Sequence, residues 1–78
     1  MENASLILFA RVTCPNCKAV EKLLEKAGIA YEKKIAEENI DLCKAYGIKG
    51  APTLVAVSGD EFTTYYGVPA IKEFISRQ

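Results

Sequence analysis

The chain predicts an α/β fold in the order β-α-β-α-β-β-α, a four-stranded mixed sheet flanked by three helices. Three observations carry that expectation. Leu6–Ala10 and Thr53–Val57 are short apolar runs of the kind that strands buried on both faces require. Between them, from Pro15 to Ala27, apolar residues recur at the spacing of one helical face. Late in the chain, Ser58-Gly59-Asp60 separates two strand-like runs and joins them as a hairpin, which makes that pair antiparallel.

Taken in order, Leu6–Ala10 is the first strand. The helix that follows places Val20, Leu23, Leu24 and Ala27 on one face and charged residues from Lys18 to Lys26 on the rest, and Gly28 suits its C-terminal stop. Ile29, Tyr31, Lys33 and Ile35 alternate with Ala30, Glu32 and Lys34, the pattern of a half-exposed edge strand. Glu37 and Glu38 favour the start of a second helix, Leu42, Cys43 and Tyr46 its inner face, and Gly47 its end. Thr53–Val57 and Phe62–Tyr66 form the hairpin. After Gly67, Pro69 opens a last helix with Ile71, Phe74 and Ile75 inward. The first β-α-β unit pairs in parallel through a right-handed crossover, with the two apolar strands central and the two mixed ones at the edges.

No linker, repeat or low-complexity segment divides the 78 residues, so one domain over 1–78 is expected. Ten basic and ten acidic residues cancel, which argues against a nucleic-acid or membrane-surface partner. Met1-Glu2-Asn3 does not resemble a targeting signal, and the apolar run after it is too short to span a bilayer. With three cysteines the chain is not a disulfide scaffold, and a reducing, cytoplasmic location is expected. The absence of histidine removes imidazole acid–base chemistry and most metal sites.

Chemistry concentrates at Cys14-Pro15-Asn16-Cys17, on the joint between the first strand and the first helix. A thiol there faces unpaired backbone N–H groups and the positive end of the helix dipole, both of which favour thiolate. The second cysteine, one turn into the helix, is close enough to close a small disulfide, so the pair reads as a two-electron switch. A zinc half-site is the competing reading, yet a structural zinc needs four ligands, which one further cysteine does not supply unless two chains share the metal. Elsewhere the plainer readings are preferred. Lys18 and Arg11 are taken as solvated rather than thiolate-holding, one of Tyr65 and Tyr66 as packed, and Cys43 as a small core hydrophobe.

The order of elements, with Cys-Pro-x-Cys after the first strand and Ala51-Pro52-Thr53 before the third, resembles the thioredoxin/glutaredoxin family along essentially the whole chain. Thr13-Cys14-Pro15-Asn16-Cys17-Lys18 is similar to a glutaredoxin site, whereas Tyr46–Leu54 is similar to thioredoxin. Small glutaredoxin-like proteins with thioredoxin-like activity share this mixture. The resemblance implies a thioredoxin-like fold and a thiol–disulfide oxidoreductase that reduces protein disulfides, with Cys14 and Cys17 catalytic and no prosthetic cofactor. It further implies a cis bond before Pro52 and a groove between Cys14, Pro52 and Gly67. In that groove Thr13, Pro15, Asn16, Ala51, Pro52, Gly67 and Val68 would hold substrate. The chain departs from the family at Leu8 and Thr13, where thioredoxins carry a buried acid and a tryptophan. It departs again at Gly67-Val68-Pro69-Ala70, where glutaredoxins hold glutathione with a second glycine and an acid. Those departures favour a flavoprotein reductase of thioredoxin-reductase type over glutathione as electron source, for a monomer. The alternatives are a non-catalytic redoxin-fold module binding an iron–sulfur cluster or zinc, and a dedicated donor to one enzyme such as ribonucleotide reductase.

Overall fold

The computed structural model describes residues 5–77; Met1-Glu2-Asn3, read above for a targeting signal, lies outside the described residues. Four strands form one sheet in the order β2-β1-β3-β4. They are β1 (Ser5–Ala10), β2 (Glu32–Ile35), β3 (Thr53–Ser58) and β4 (Glu61–Tyr66), with helices α1 (Pro15–Lys26), α2 (Ile40–Tyr46) and α3 (Gly67–Ser76). The apolar strands are central, as expected. β1 runs parallel to β2 but antiparallel to β3, with Phe9 opposite Thr53 and Ser5 opposite Val57. The hairpin pairs Ser58 with Glu61 across two residues, and Gly59 takes the positive φ of 62° that its first turn position favours.

α1 packs on α3 over one face of the sheet. Leu8, Leu54, Val20, Leu24 and Ile71 are fully buried there, with Leu6, Tyr65, Phe74 and Ile75 around them. Each such aliphatic side chain contributes about 1.5–3 kcal/mol by leaving water. α1 ends as its sequence dictates: Gly28 at φ 73° lets its own N–H reach Glu25 O and the Ile29 N–H reach Leu24 O, closing the last turn. Ala27, expected on the inner face, is instead the exposed residue at this stop.

On the opposite face α2 is short and buries none of its residues completely. Tyr46 is its main contribution, edge-on to Phe9 at 6.1 Å and to Phe62 at 4.9 Å. The helix expected from Glu37 onward is broken. Ala36–Glu38 forms a 3-10 turn, Asn39 leaves helical geometry at φ −135°, and its side-chain amide donates to Ile35 O at 2.8 Å. An amide side chain that competes for nearby backbone in this way favours a cap over a helix interior. The edge strand is also shorter than its alternation suggested, because only Glu32–Ile35 pairs with β1, whereas Ile29 and Tyr31 pack against the core from a loop. The central strands are fully buried only towards one end; Leu6, Ile7, Ala56 and Val57 stay half-buried, and of these Ile7 and Val57 share the face of Phe9, which so short an α2 leaves partly uncovered. α3 begins at Gly67, two residues ahead of Pro69.

Candidate active site

The pairing register gathers the chemistry at one end of the sheet. β1 ends at Ala10 and leads into the cysteine segment; β3 starts at Thr53, opposite Phe9, directly after Pro52; β4 ends at Tyr66, opposite Thr53, directly before Gly67. Three segments distant in sequence therefore meet there. Two of them are joined by a hydrogen bond from the Gly67 N–H to Pro52 O at 2.9 Å. The Ala51–Pro52 bond is cis, as the resemblance implied.

Cys14 is the N-cap of α1, with extended backbone at φ −151° and ψ 96°, and Pro15 occupies the first turn, where a missing N–H costs nothing. Its Sγ accepts the Cys17 N–H at 3.2 Å, a first-turn donor shared with the Cys14 carbonyl at 3.2 Å. Cys14 and Cys17 are joined as a disulfide with Cα atoms 5.3 Å apart. The two sulfurs differ in access: Cys17 is 2% exposed, whereas Cys14 is half-buried. Once the disulfide opens, the same N–H and the helix dipole favour negative charge on Cys14. No carboxylate is buried among the described residues; Thr53 is the buried polar side chain there, and Leu8 sits fully buried in the core.

Thr13, Pro15 and Asn16 are exposed around Cys14, whereas Ala51, Gly67 and Val68 are half-buried and Pro52 is buried. The depression beside Cys14 is lined by Val12, Thr13, Cys14, Pro15 and Lys18, without Pro52 or Gly67. Val12, 73% exposed, was not singled out from the sequence, although an apolar residue between Arg11 and Thr13, outside both periodic runs, was the available signal. Arg11 pairs with Glu37 at 3.5 Å, an exposed contact of little energetic weight. Of the two tyrosines, Tyr65 packs on Phe74 at 4.8 Å and Tyr66 is 64% exposed. Cys43 departs from expectation. It is half-buried rather than core, its thiol directed to Ala36 O at 3.7 Å, on a shallow cleft that also touches Arg11 and Gly50.

A mixed four-stranded sheet whose first helix starts on an accessible, dipole-facing thiol bridged to a buried one has the form of a thiol–disulfide redox domain. The thioredoxin family pattern matches residues 1–77, and the chain belongs to that family. A solved mutant thioredoxin from Halobacterium salinarum superimposes with a TM-score of 0.77 at 28% identity, covering 97% of this chain and 74% of the other. Desulfothioredoxin from Desulfovibrio vulgaris Hildenborough gives 0.79 at 26% identity, over 95% and 77% of the two chains. Among curated proteins, a protein disulfide-isomerase of Arthroderma benhamiae is 34% identical in an alignment 76 positions long, with 83% of this chain and 14% of that protein covered. The chain thus spans a small part of that relative's length.

Proposed function

We propose that this protein reduces disulfide bonds in other proteins. In the reduced form the Cys14 thiolate attacks one sulfur of a partner disulfide. That S–S bond breaks, a mixed disulfide to Cys14 forms, and the partner's other sulfur leaves as thiolate and takes a proton from solvent. Cys17 then gives up its proton and attacks Cys14 Sγ; the partner's second thiolate departs, and Cys14–Cys17 is left oxidised. Two electrons have moved to the partner. With no buried carboxylate among the described residues, the proton of Cys17 passes to the departing thiolate or to water rather than to a protein acid. Ala51 presents its backbone to the extended partner segment, Pro52 packs beside the disulfide, and Thr13, Pro15, Asn16, Gly67 and Val68 border the contact. A flavoprotein reductase of thioredoxin-reductase type restores the dithiol, in a monomer working in a reducing cytoplasm.

The observation that carries this reading is the asymmetry of the pair: Cys14 Sγ caps α1 and is accessible, while Cys17 is 2% exposed. The protein prepared without air and reduced should precipitate insulin by cleaving its interchain disulfides, with Cys14→Ser inactive. Absence of insulin reduction, together with stoichiometric metal or cluster absorption bands, would replace the enzyme with a metal-holding module.

A further inference from the structure

Thr53 stands apart at this end of the sheet. It is a polar residue only 2% exposed, and its Oγ1 donates a hydrogen bond to Gly50 O at 2.6 Å. The bond spans the three residues that carry Ala51 and Pro52. On its other side Gly50 is closed by Tyr66, the cross-strand partner of Thr53. A Cβ placed on Gly50 would meet Tyr66 Oη at 2.9 Å and Cε1 at 3.0 Å, so the phenol ring occupies the space where a side chain would sit. The far end of the same segment is tied by the Gly67 N–H on Pro52 O at 2.9 Å. Gly50–Pro52 is therefore held at both ends, once by a side chain and once by backbone.

We propose that Thr53 is a positioning residue for partner binding: through the carbonyl of Gly50 its hydroxyl holds the Ala51 backbone in register to pair with the partner segment. The inference rests on the reading that Ala51 presents its backbone to a protein disulfide. Thr53 touches neither sulfur nor substrate. Its effect belongs to binding of extended polypeptide and not to the attack by Cys14. Valine has nearly the shape of threonine and suits a strand, so Thr53→Val removes the bond with little change in packing, and Thr53→Ser keeps the hydroxyl.

The test is steady-state reduction of insulin, and of a small aromatic disulfide that offers no backbone to pair with, by wild type, Thr53→Val and Thr53→Ser. Hydrogen exchange of the Gly67 amide is followed alongside. Thr53→Val should raise KM for insulin about five- to tenfold, the worth of one hydrogen bond, with kcat within about twofold. Its rate on the small disulfide should not change, its Gly67 amide should exchange faster, and Thr53→Ser should restore both insulin KM and exchange. Equal losses on both substrates, a loss confined to kcat, or an unchanged insulin KM would overturn the proposal. If wild type reduces the small disulfide but not insulin, the proposed function fails, and the amide decides the loop's part: unchanged exchange in Thr53→Val overturns the holding role as well.

Discussion

Two sulfurs one helical turn apart are made unequal by their immediate surroundings. The Cys17 N–H on Cys14 Sγ, the dipole of α1 and the burial of Cys17 all favour Cys14 as the attacking thiolate. Alkylation of the reduced protein at mildly acidic pH should label Cys14 first, read by mass spectrometry. Cys17→Ser should accumulate a covalent mixed disulfide with a partner; faster labelling at Cys17 would invert the roles. Tyr31 offers a second residue-scale prediction. Partial burial, then the charges of Glu21 and Glu25, then a 3.4 Å hydrogen bond to Glu25 raise its pKa above the ordinary 10.0. The folded protein thus keeps a proton that the unfolded chain releases above pH 10.0. The stability this proton contributes is fully present below that value and is lost as pH rises through the folded pKa. Denaturant unfolding at about pH 9 and about pH 11 should show a smaller alkaline loss in Tyr31→Phe than in wild type.

At the scale of elements, α1 is the best-determined piece, since its start at Pro15, its inner face and its stop at Gly28 are all written locally. α2 is the weakest. It is seven residues long, separated by Asn39 from the 3-10 turn before it, and anchored mainly through Tyr46. Cys43 lies on that helix with its thiol on Ala36 O, a sulfur contact that adds little, so Cys43→Ala should cost about 1 kcal/mol or less. Turnover of Cys43→Ala should stay near wild type, measured by insulin reduction with thermal unfolding alongside. A folded but inactive variant, or an oxidised form pairing Cys43 with Cys14 or Cys17, would implicate the third thiol in the relay.

At the scale of the whole molecule, the entry into α3 bears on the source of electrons. The chain enters α3 through Gly67-Val68-Pro69-Ala70, a turn without a charged side chain to hold the ends of a tripeptide. Coupled turnover should therefore be faster with a flavoprotein thioredoxin reductase and NADPH than with glutathione and its reductase. The opposite ranking would make the protein glutaredoxin-like in its supply.

Sequence alone determined what is local. The helix period of α1, the apolar runs of β1 and β3, the turn at Gly59 and the stop at Gly47 each follow from side chains acting on neighbours a few residues away. The Cys14–Cys17 pair was legible for the same reason, because a thiol at a strand–helix joint meets helix N–H groups whatever the rest of the fold does. Tertiary structure decided what depends on contacts between distant segments. Ala27 and Cys43 matched the helical period yet escaped the core, since burial depends on what lies opposite and α2 is too short to cover its face. Val12 became a border of the site only when β1 ended beside it. The antiparallel registers of β3 with β1 and with β4 set Thr53 opposite Phe9 on one side and Tyr66 on the other, and so brought Pro52 and Gly67 to the end of the sheet where Cys14 stands. No stretch of chain encodes that meeting by itself, because pairing between strands is set by the packing of both faces of the sheet.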